Sequence, residues 1–426
     1  MTELVTRYIF RIWTLITVAV LSVSVDAMEP KAASWTQWRG PHRDGQLPAD
    51  SLPENLSEES LKEAWHIPLG PSYSGPLVIG DRVFITETKD KKFEVVRALD
   101  RATGKQIWET EWEGAMTVPF FARSNGDWIR ATPAYDDGRL FVAGMRDLLV
   151  CLDAKTGKQQ WQVDFVKDTG SSLPSFGFVA SPLVHGDHVY VQAGGSVAKL
   201  EKTTGKIVWQ VLKDGGGMSG SAFSSPTLAT IDGKQQLVVQ TRTTLAGVDL
   251  EGGEVLWSQE IPAFRGMNIV TPTIVDDTVF TSSYGGTSLL FSVKQGDDAF
   301  EVNQLWNNRS QGYMSSPIVI DGHVYLHLRN QRFMCIELAS GETKWKTKPF
   351  GKYWSLVFSG DRILALDEQG ELLLIAADPS EFKLLDSRKV SEESTWAHLG
   401  VSGNEIFVRE LNGLRVFRWD AAASGD

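Results

Sequence analysis

Beyond residue 60 the chain is written in short runs where apolar and polar residues alternate, as in Val83-Phe-Ile and Val324-Tyr-Leu. Turns such as Ile79-Gly-Asp81 and Ile320-Asp-Gly322 separate the runs. Alternation of period two puts successive side chains on opposite faces of a strand, and helical spacing is nearly absent. The runs group as strand, turn, strand, turn, strand, Gly turn, strand. Each group opens on small residues, usually before proline: Ser74-Gly-Pro76, Ala131-Thr-Pro133, Ala180-Ser-Pro182, Ser224-Ser-Pro226, Val270-Thr-Pro272 and Ser315-Ser-Pro317. Those prolines, at 76, 133, 182, 226, 272 and 317, stand 44 to 57 residues apart.

The back half of each group repeats a second phrase. An acid lies eight residues before a Trp and a Gly four before it: Asp100/Gly104/Trp108, Asp153/Gly157/Trp161, Glu201/Gly205/Trp209, Asp249/Gly253/Trp257 and Glu337/Gly341/Trp345. Trp306 ends a sixth copy whose longer turn, 295–303, lacks that Gly. Four short antiparallel strands at such a period predict a β-propeller, whose blades cannot bury their faces alone. Small residues fit the crowded inner strands, Gly supplies the positive φ of a tight turn, and the Trp offers a flat apolar area for the next blade. Residues 355–385 read as a seventh unit. Residues 396–420 read as an eighth that stops before its outer strand. The segment 61–67, with Trp65, supplies that strand and closes the ring, which removes an exposed edge. The expectation is an all-β, eight-bladed propeller, with seven blades as the competing count.

The opening residues belong to a different class. Arg7 and Arg11 precede an apolar run over 12–25, and Val25-Asp-Ala27 places small residues at a cleavage site, as in a secretory signal. The run is shorter than the roughly 20 residues a membrane span needs. The division expected is a signal peptide over 1–27, a strap over 28–59, one propeller over 60–420 and a tail over 421–426. An uncleaved anchor is the alternative to removal near Ala27. Either way the chain reads as exported, to the periplasm or beyond, and as a monomer that meets membranes only through partners.

Composition narrows the partners. A net charge of −11 excludes a dedicated nucleic-acid binder. Cys151 and Cys335, 184 positions apart, read as buried hydrophobes rather than a bridge. Gly215-Gly-Gly-Met-Ser-Gly220 opens no helix, so it is no dinucleotide fingerprint, and Ser196-Val-Ala-Lys199 lies in a strand without companion motifs. The seven histidines show no metal-ligand spacing.

The acid–x–x–Thr–Gly–x–x–x–Trp phrase resembles the tryptophan-docking motif of pyrroloquinoline-quinone (PQQ) repeat propellers. That superfamily includes quinoprotein alcohol dehydrogenases and the propeller lipoprotein of the outer-membrane barrel-assembly machinery. Trp35-Thr-Gln-Trp-Arg-Gly-Pro-His-Arg-Asp-Gly45 is similar to the start of many exported members. The dehydrogenase side of the resemblance implies PQQ, a Ca²⁺ held by Glu and Asn, a catalytic Asp and a vicinal disulfide. Neither the disulfide, a haem Cys-x-x-Cys-His nor a matching Glu–Asn–Asp set is present in this sequence. The assembly side implies an envelope-protein partner, although no lipid-anchoring Cys follows the signal.

What does not repeat lies in the loops from one blade's outer strand to the next blade's inner strand. These loops share one face and converge on the axis. From blades 1 to 4 they bring Tyr73, Phe120, Arg123, Trp128, Arg130, Phe176, Phe178, Met218 and Phe223. The later loops bring Phe264, Arg265, Asn268, Arg309, Tyr313, Met314, Tyr353, Trp354, Trp396 and His398. Aromatics and Arg on one rim favour recognition, and Arg on an acidic protein suits a carboxylate, a sugar acid or an acidic peptide. The bland alternative is that these side chains only plug the channel. The function expected is a non-catalytic, cofactor-free binding or scaffold propeller for a peptide segment or envelope protein. A PQQ/Ca²⁺ oxidoreductase and a carbohydrate-binding propeller are the alternatives. Trp65, Trp108, Trp161, Trp209, Trp257, Trp306 and Trp345 are assigned to blade docking.

Overall fold

The structure, a computed structural model, describes residues 34–420; the signal segment and the tail lie outside the described residues. Eight sheets of four antiparallel strands make an eight-bladed propeller. Blade 1 runs from Leu77–Ile79 to Gln106–Glu113 and blade 7 from Ser355–Ser359 to Lys383–Lys389. Blade 8 takes three strands from the C-terminal end, and Leu61–Pro68 pairs antiparallel with Gly413–Trp419 as its outer strand. The ring is closed as the unfinished eighth repeat implied. The fully buried Arg409 braces that seam, with its guanidinium donating to the carbonyls of Gly413 in blade 8 and of Gly70 and Thr86 on the blade 1 side.

Burial differs with strand position. Leu148–Asp153, a third strand, is buried at every position but its last, because both faces meet a neighbouring blade. The outer strand Gln159–Asp164 alternates, with Trp161 and Val163 buried. Period two is therefore clearest in the outer strands, while third strands read as continuous apolar runs.

The repeated phrase works at two levels. Its acid nucleates the turn: Asp100 Oδ1 accepts from the Thr103 amide and hydroxyl, and Asp153 does the same with Thr156. These bonds hold both carboxyls below their ordinary pKa. The Gly then has two duties. It takes a positive φ, 75° at Gly157, and its missing Cβ makes room for the Trp of the preceding blade. A Cβ on Gly157 would stand 2.6 Å from the Trp108 ring, and one on Gly205 2.6 Å from Trp161. Most docked indoles donate across the seam, Trp65 to the Arg101 carbonyl at 2.9 Å and Trp306 to that of Leu338 at 2.8 Å, whereas the buried Trp209 nitrogen has no partner among the described residues. Trp257 departs from this scheme. The next copy has no Gly four residues before its Trp to receive it, and its indole instead bonds Gln236 within its own blade at 2.6 Å. Trp345 still crosses, to the Asp378 carbonyl at 2.8 Å. Both cysteines are buried and free.

The small residues before the prolines also do more than fit. The Gly75 amide donates to the Thr132 hydroxyl, Thr132 to Ser181, Ser181 to Ser225 and Ser225 to Thr271, at 2.9–3.0 Å. From blade 1 to blade 5 one blade's amide thus meets the next blade's hydroxyl, a belt of bonds along that part of the channel wall that an apolar residue of the same size could not form.

The strap crosses the end of the channel opposite the interblade loops. Trp35 bridges Val78 in blade 1, and Gln46 bridges Phe358 in blade 7. Between them Arg39 donates to the Pro317 carbonyl of blade 6 at 2.5 Å. Arg43 donates to the Pro182 and Ser181 carbonyls of blade 3 at 2.8 and 3.1 Å. Trp38 lies between the two guanidiniums, each 5.5 Å from its ring centre.

Candidate functional site

With one end stopped by the strap, the channel is a cup of about 970 Å³ that opens among the interblade loops. Its floor is Trp38, with His398 edge-on at 6.1 Å. Burial and the nearby Arg39 charge pull the His398 imidazole down to about 3, so it is neutral at physiological pH. Above the floor the wall is the hydroxyl belt, including Thr132, Ser181, Ser225 and Thr271.

Aromatic rings form the mouth in two arcs. One runs Phe264, Tyr284, Tyr313, Tyr353, Trp396, Tyr73, with successive centroids 5.3, 5.1, 5.8, 4.5 and 4.9 Å apart. The other runs Phe121, Phe176, Phe223, at 6.2 and 5.7 Å. Rings at these distances brace one another, so the mouth is held in shape before a ligand arrives. Cations sit over several rings: Arg242 over Phe223 at 4.3 Å, Arg329 over Tyr284 at 4.2 Å and Lys352 over Tyr353 at 4.6 Å. Arg130 and Arg242 line the cup, bonded to loop carbonyls rather than carboxylates. Burial lowers both guanidiniums, Arg130 to about 10, so their charge persists. No Asp or Glu is among the residues lining the cup.

Of the residues singled out from sequence, Arg130, Phe264, Arg265, Tyr313, Tyr353, Trp354, Trp396 and His398 line the cup together. Trp354 shows only an edge, being 2% exposed and stacked on His327 at 4.5 Å. Tyr73, Phe176, Met218, Phe223 and Met314 also line the cup. Six others do not, Phe120 and Arg123 being exposed on the loop between blades 1 and 2. Gly177, at φ 82°, turns the chain so that Phe178 packs into the blade core beside Phe165, while Phe176 faces the cup. Asn268 is fully buried, its amide spent on the Arg242 and Ile261 carbonyls at 3.0 Å. Trp128 folds back on Gly126, whose Cβ would stand 2.2 Å from the indole nitrogen. Arg309 is exposed beside a separate pocket.

The family described as outer membrane protein assembly factor BamB matches residues 91–347, more than half the chain. This protein belongs to that family. A relative so named from Moranella endobia is 23% identical over 386 residues, covering 85% of this chain and 91% of the relative. The crystal structure of BamB from Moraxella catarrhalis superposes with a TM-score of 0.62 at 16% identity, covering 86% of this chain and 99% of that one. Quinohemoprotein alcohol dehydrogenase from Comamonas testosteroni superposes with a TM-score of 0.66 at 13% identity, covering 92% and 82%. At those identities the likeness to solved structures speaks for the fold alone.

The Ca²⁺ that accompanies the dehydrogenase cofactor fits this cup poorly. Ca²⁺ takes six to eight oxygen ligands, carboxylates foremost, whereas the lining supplies aromatics, hydroxyls and guanidiniums. Among the described residues no group of three His, Cys, Asp or Glu could hold a metal ion. A dication would enter a wall that is already positive.

Trp38, Phe121, Arg242 and Tyr284 line the site without having been singled out. Arg242 and Tyr284 sit in the turns between second and third strands, which rise on the same face as the interblade loops. The available signal was a large or charged residue in a turn otherwise written Gly, Ser and Thr, as in Ser283-Tyr-Gly-Gly-Thr287. Trp38 reaches the cup because the strap does.

Proposed function

We propose that this family member is a binding and scaffolding propeller of the bacterial envelope that holds an extended segment of a partner polypeptide in the axial cup. The observation that carries the reading is the preformed aromatic mouth over a blind, carboxylate-free cup. Its size is that of a ligand site rather than a packing defect. Rings and hydroxyls together suit a peptide, taking side chains on the arcs and main-chain groups on the belt. Relatives bearing the name outer membrane protein assembly factor support a partner in the envelope, and the signal-like pattern of residues 1–27 is in keeping with export. No helix among the described residues is long and apolar enough to cross a membrane.

The test is capture from a solubilised envelope extract, using the wild type, Tyr313→Ala, Trp396→Ala and the opposite-face control His185→Ala. The expected result is a polypeptide partner kept by the wild type and the control and lost from both mouth variants, with unchanged melting temperatures. Equal capture by all four would remove the cup from the reading. Release of the partner by an oligosaccharide would favour a carbohydrate site instead.

A further inference from the structure

Charge on blades 5 and 6 is segregated by face. The upper segments 263–271, 283–287, 308–317, 328–332 and 346–355 hold seven cations and no acid: Arg265, Arg309, Arg329, Arg332, Lys346, Lys348 and Lys352. The turns of the same blades on the opposite face, 275–278, 295–300, 320–323 and 337–343, hold seven acids and no Lys or Arg: Asp276, Asp277, Asp297, Asp298, Asp321, Glu337 and Glu342. In a chain of net charge −11, a sector this positive is a localised departure. Of the seven cations, only Lys352 has a carboxylate within 4 Å among the described residues, Glu368 at 3.4 Å.

Three of these cations converge. Arg309, Arg329 and Lys346 line a pocket of about 290 Å³, beside the side chains of Asn308, Gln311 and Asn330. Arg329 also lies over Tyr284 and donates to its hydroxyl at 3.2 Å, so the pocket adjoins the aromatic arc of the cup. Exposed guanidinium and ammonium groups without counter-charges, next to amides and a ring-lined mouth, match a carboxylate on an otherwise apolar strand of polypeptide. A lipid surface would ask for apolar side chains among the cations. The most exposed aromatics, Phe120 and Phe121, belong to the loop between blades 1 and 2, across the mouth.

We infer that the upper face of blades 5 and 6 docks an acidic polypeptide segment, with one carboxylate in the Arg309/Arg329/Lys346 pocket and the adjoining apolar residues entering the cup. The inference rests on the segment-binding reading above and adds the chemistry of the segment and its direction of approach. Because the cations are exposed, they act mainly on encounter and on selection against basic partners, and salt weakens them.

The experiment uses the full chain and a fluorescent peptide in which Asp and Glu alternate with Phe and Leu. Its twin carries Asn and Gln in their place. Fluorescence anisotropy at low salt should show the acidic peptide bound at least about tenfold more tightly than the twin, the gap closing at high salt. Arg309→Glu with Lys346→Glu should abolish that gap while leaving the twin's affinity in place, and Trp396→Ala should weaken both peptides. Equal affinity for the two peptides in the wild type, or an unchanged gap in the charge-reversed variant, overturns the inference and leaves the cup reading standing. Failure of both peptides to bind removes both. Recruitment to vesicles containing phosphatidylglycerol, lost on charge reversal while neither peptide binds, would reassign the surface to lipid.

Discussion

The two ends of the channel use the same residue types to opposite ends. At the floor, Trp38 lies between Arg39 and Arg43, which are 3% and 5% exposed and bonded to carbonyls of blades 6 and 3. At the mouth, the aromatic arc that includes Trp396 is flanked by Arg265 over Phe264 and Arg329 over Tyr284, and Arg309 lies beyond it; all three are exposed. Arginine and tryptophan in one place are therefore not a sign of function by themselves. What separates the floor arginines from Arg265, Arg309 and Arg329 is that their donors are already spent on the chain's own backbone, as are those of Arg130 and Arg242 in the cup wall. Desolvation separates the floor from the exposed rim arginines but not from the cup wall, since burial lowers Arg39 to about 10 and Arg43 to about 9 and also Arg130 to about 10.

The sharpest way to break this comparison is to remove one arginine from each end. Arg43→Ala leaves the Ser181 and Pro182 carbonyls without a donor beside the axis, and should cost about 3 kcal/mol in urea unfolding. Arg309→Ala should stay within about 0.5 kcal/mol of wild type. Equal costs would mean that the mouth is as structural as the floor.

A smaller effect separates the two duties of the turn glycine and tests whether the scaffold below the mouth is built as described. Gly157→Ala meets both a positive φ and the Trp108 ring. Gly138→Ala, at φ 74°, meets no atom within 4 Å. The first should cost about 3 kcal/mol and the second about 1 kcal/mol, the strain of the left-handed backbone alone. The difference reports the tryptophan seam.

The smallest effect concerns the walls between the two ends. Glu94, in blade 1, accepts from the Met145 amide of blade 2 and from Trp112; Asp147, in blade 2, accepts from the Gly194 amide of blade 3. Burial raises both carboxyls to about 7. The folded chain then keeps protons that the unfolded chain has released above about 4 to 4.5. Stability from these groups is full in mild acid, falls as pH rises towards 7 and is level beyond. The urea midpoint should be higher in mild acid than above neutrality, with a shallower slope in Asp147→Asn.

The architecture was legible because the propeller writes the same phrase in full five times, often enough to recognise the three blades that depart from it. Acid, Gly and Trp recur at fixed offsets, and one missing outer strand pointed to residues 61–67. The site was legible only in part. Alternation and repeat position said which loops share a face, and so found Tyr313, Tyr353 and Trp396. They could not say where a local turn rotates a side chain, which is why Phe178 and Trp128 were grouped with the rim although Gly177 and Gly126 turn them away. They also could not bring in residues from elsewhere in the chain. Trp38 is far from every interblade loop in sequence and reaches the cup only because the strap crosses the axis.

The central claim, that the mouth and not the floor or the outer edge meets the partner, is tested most directly by photocrosslinking in living cells. Benzoylphenylalanine would be placed at Tyr313 in the mouth, at Ile107 on an outer strand and at His323 on the opposite face. Position 313 should give a discrete polypeptide adduct, and positions 107 and 323 none. An adduct from the outer strand or the opposite face, with none from the mouth, would contradict it.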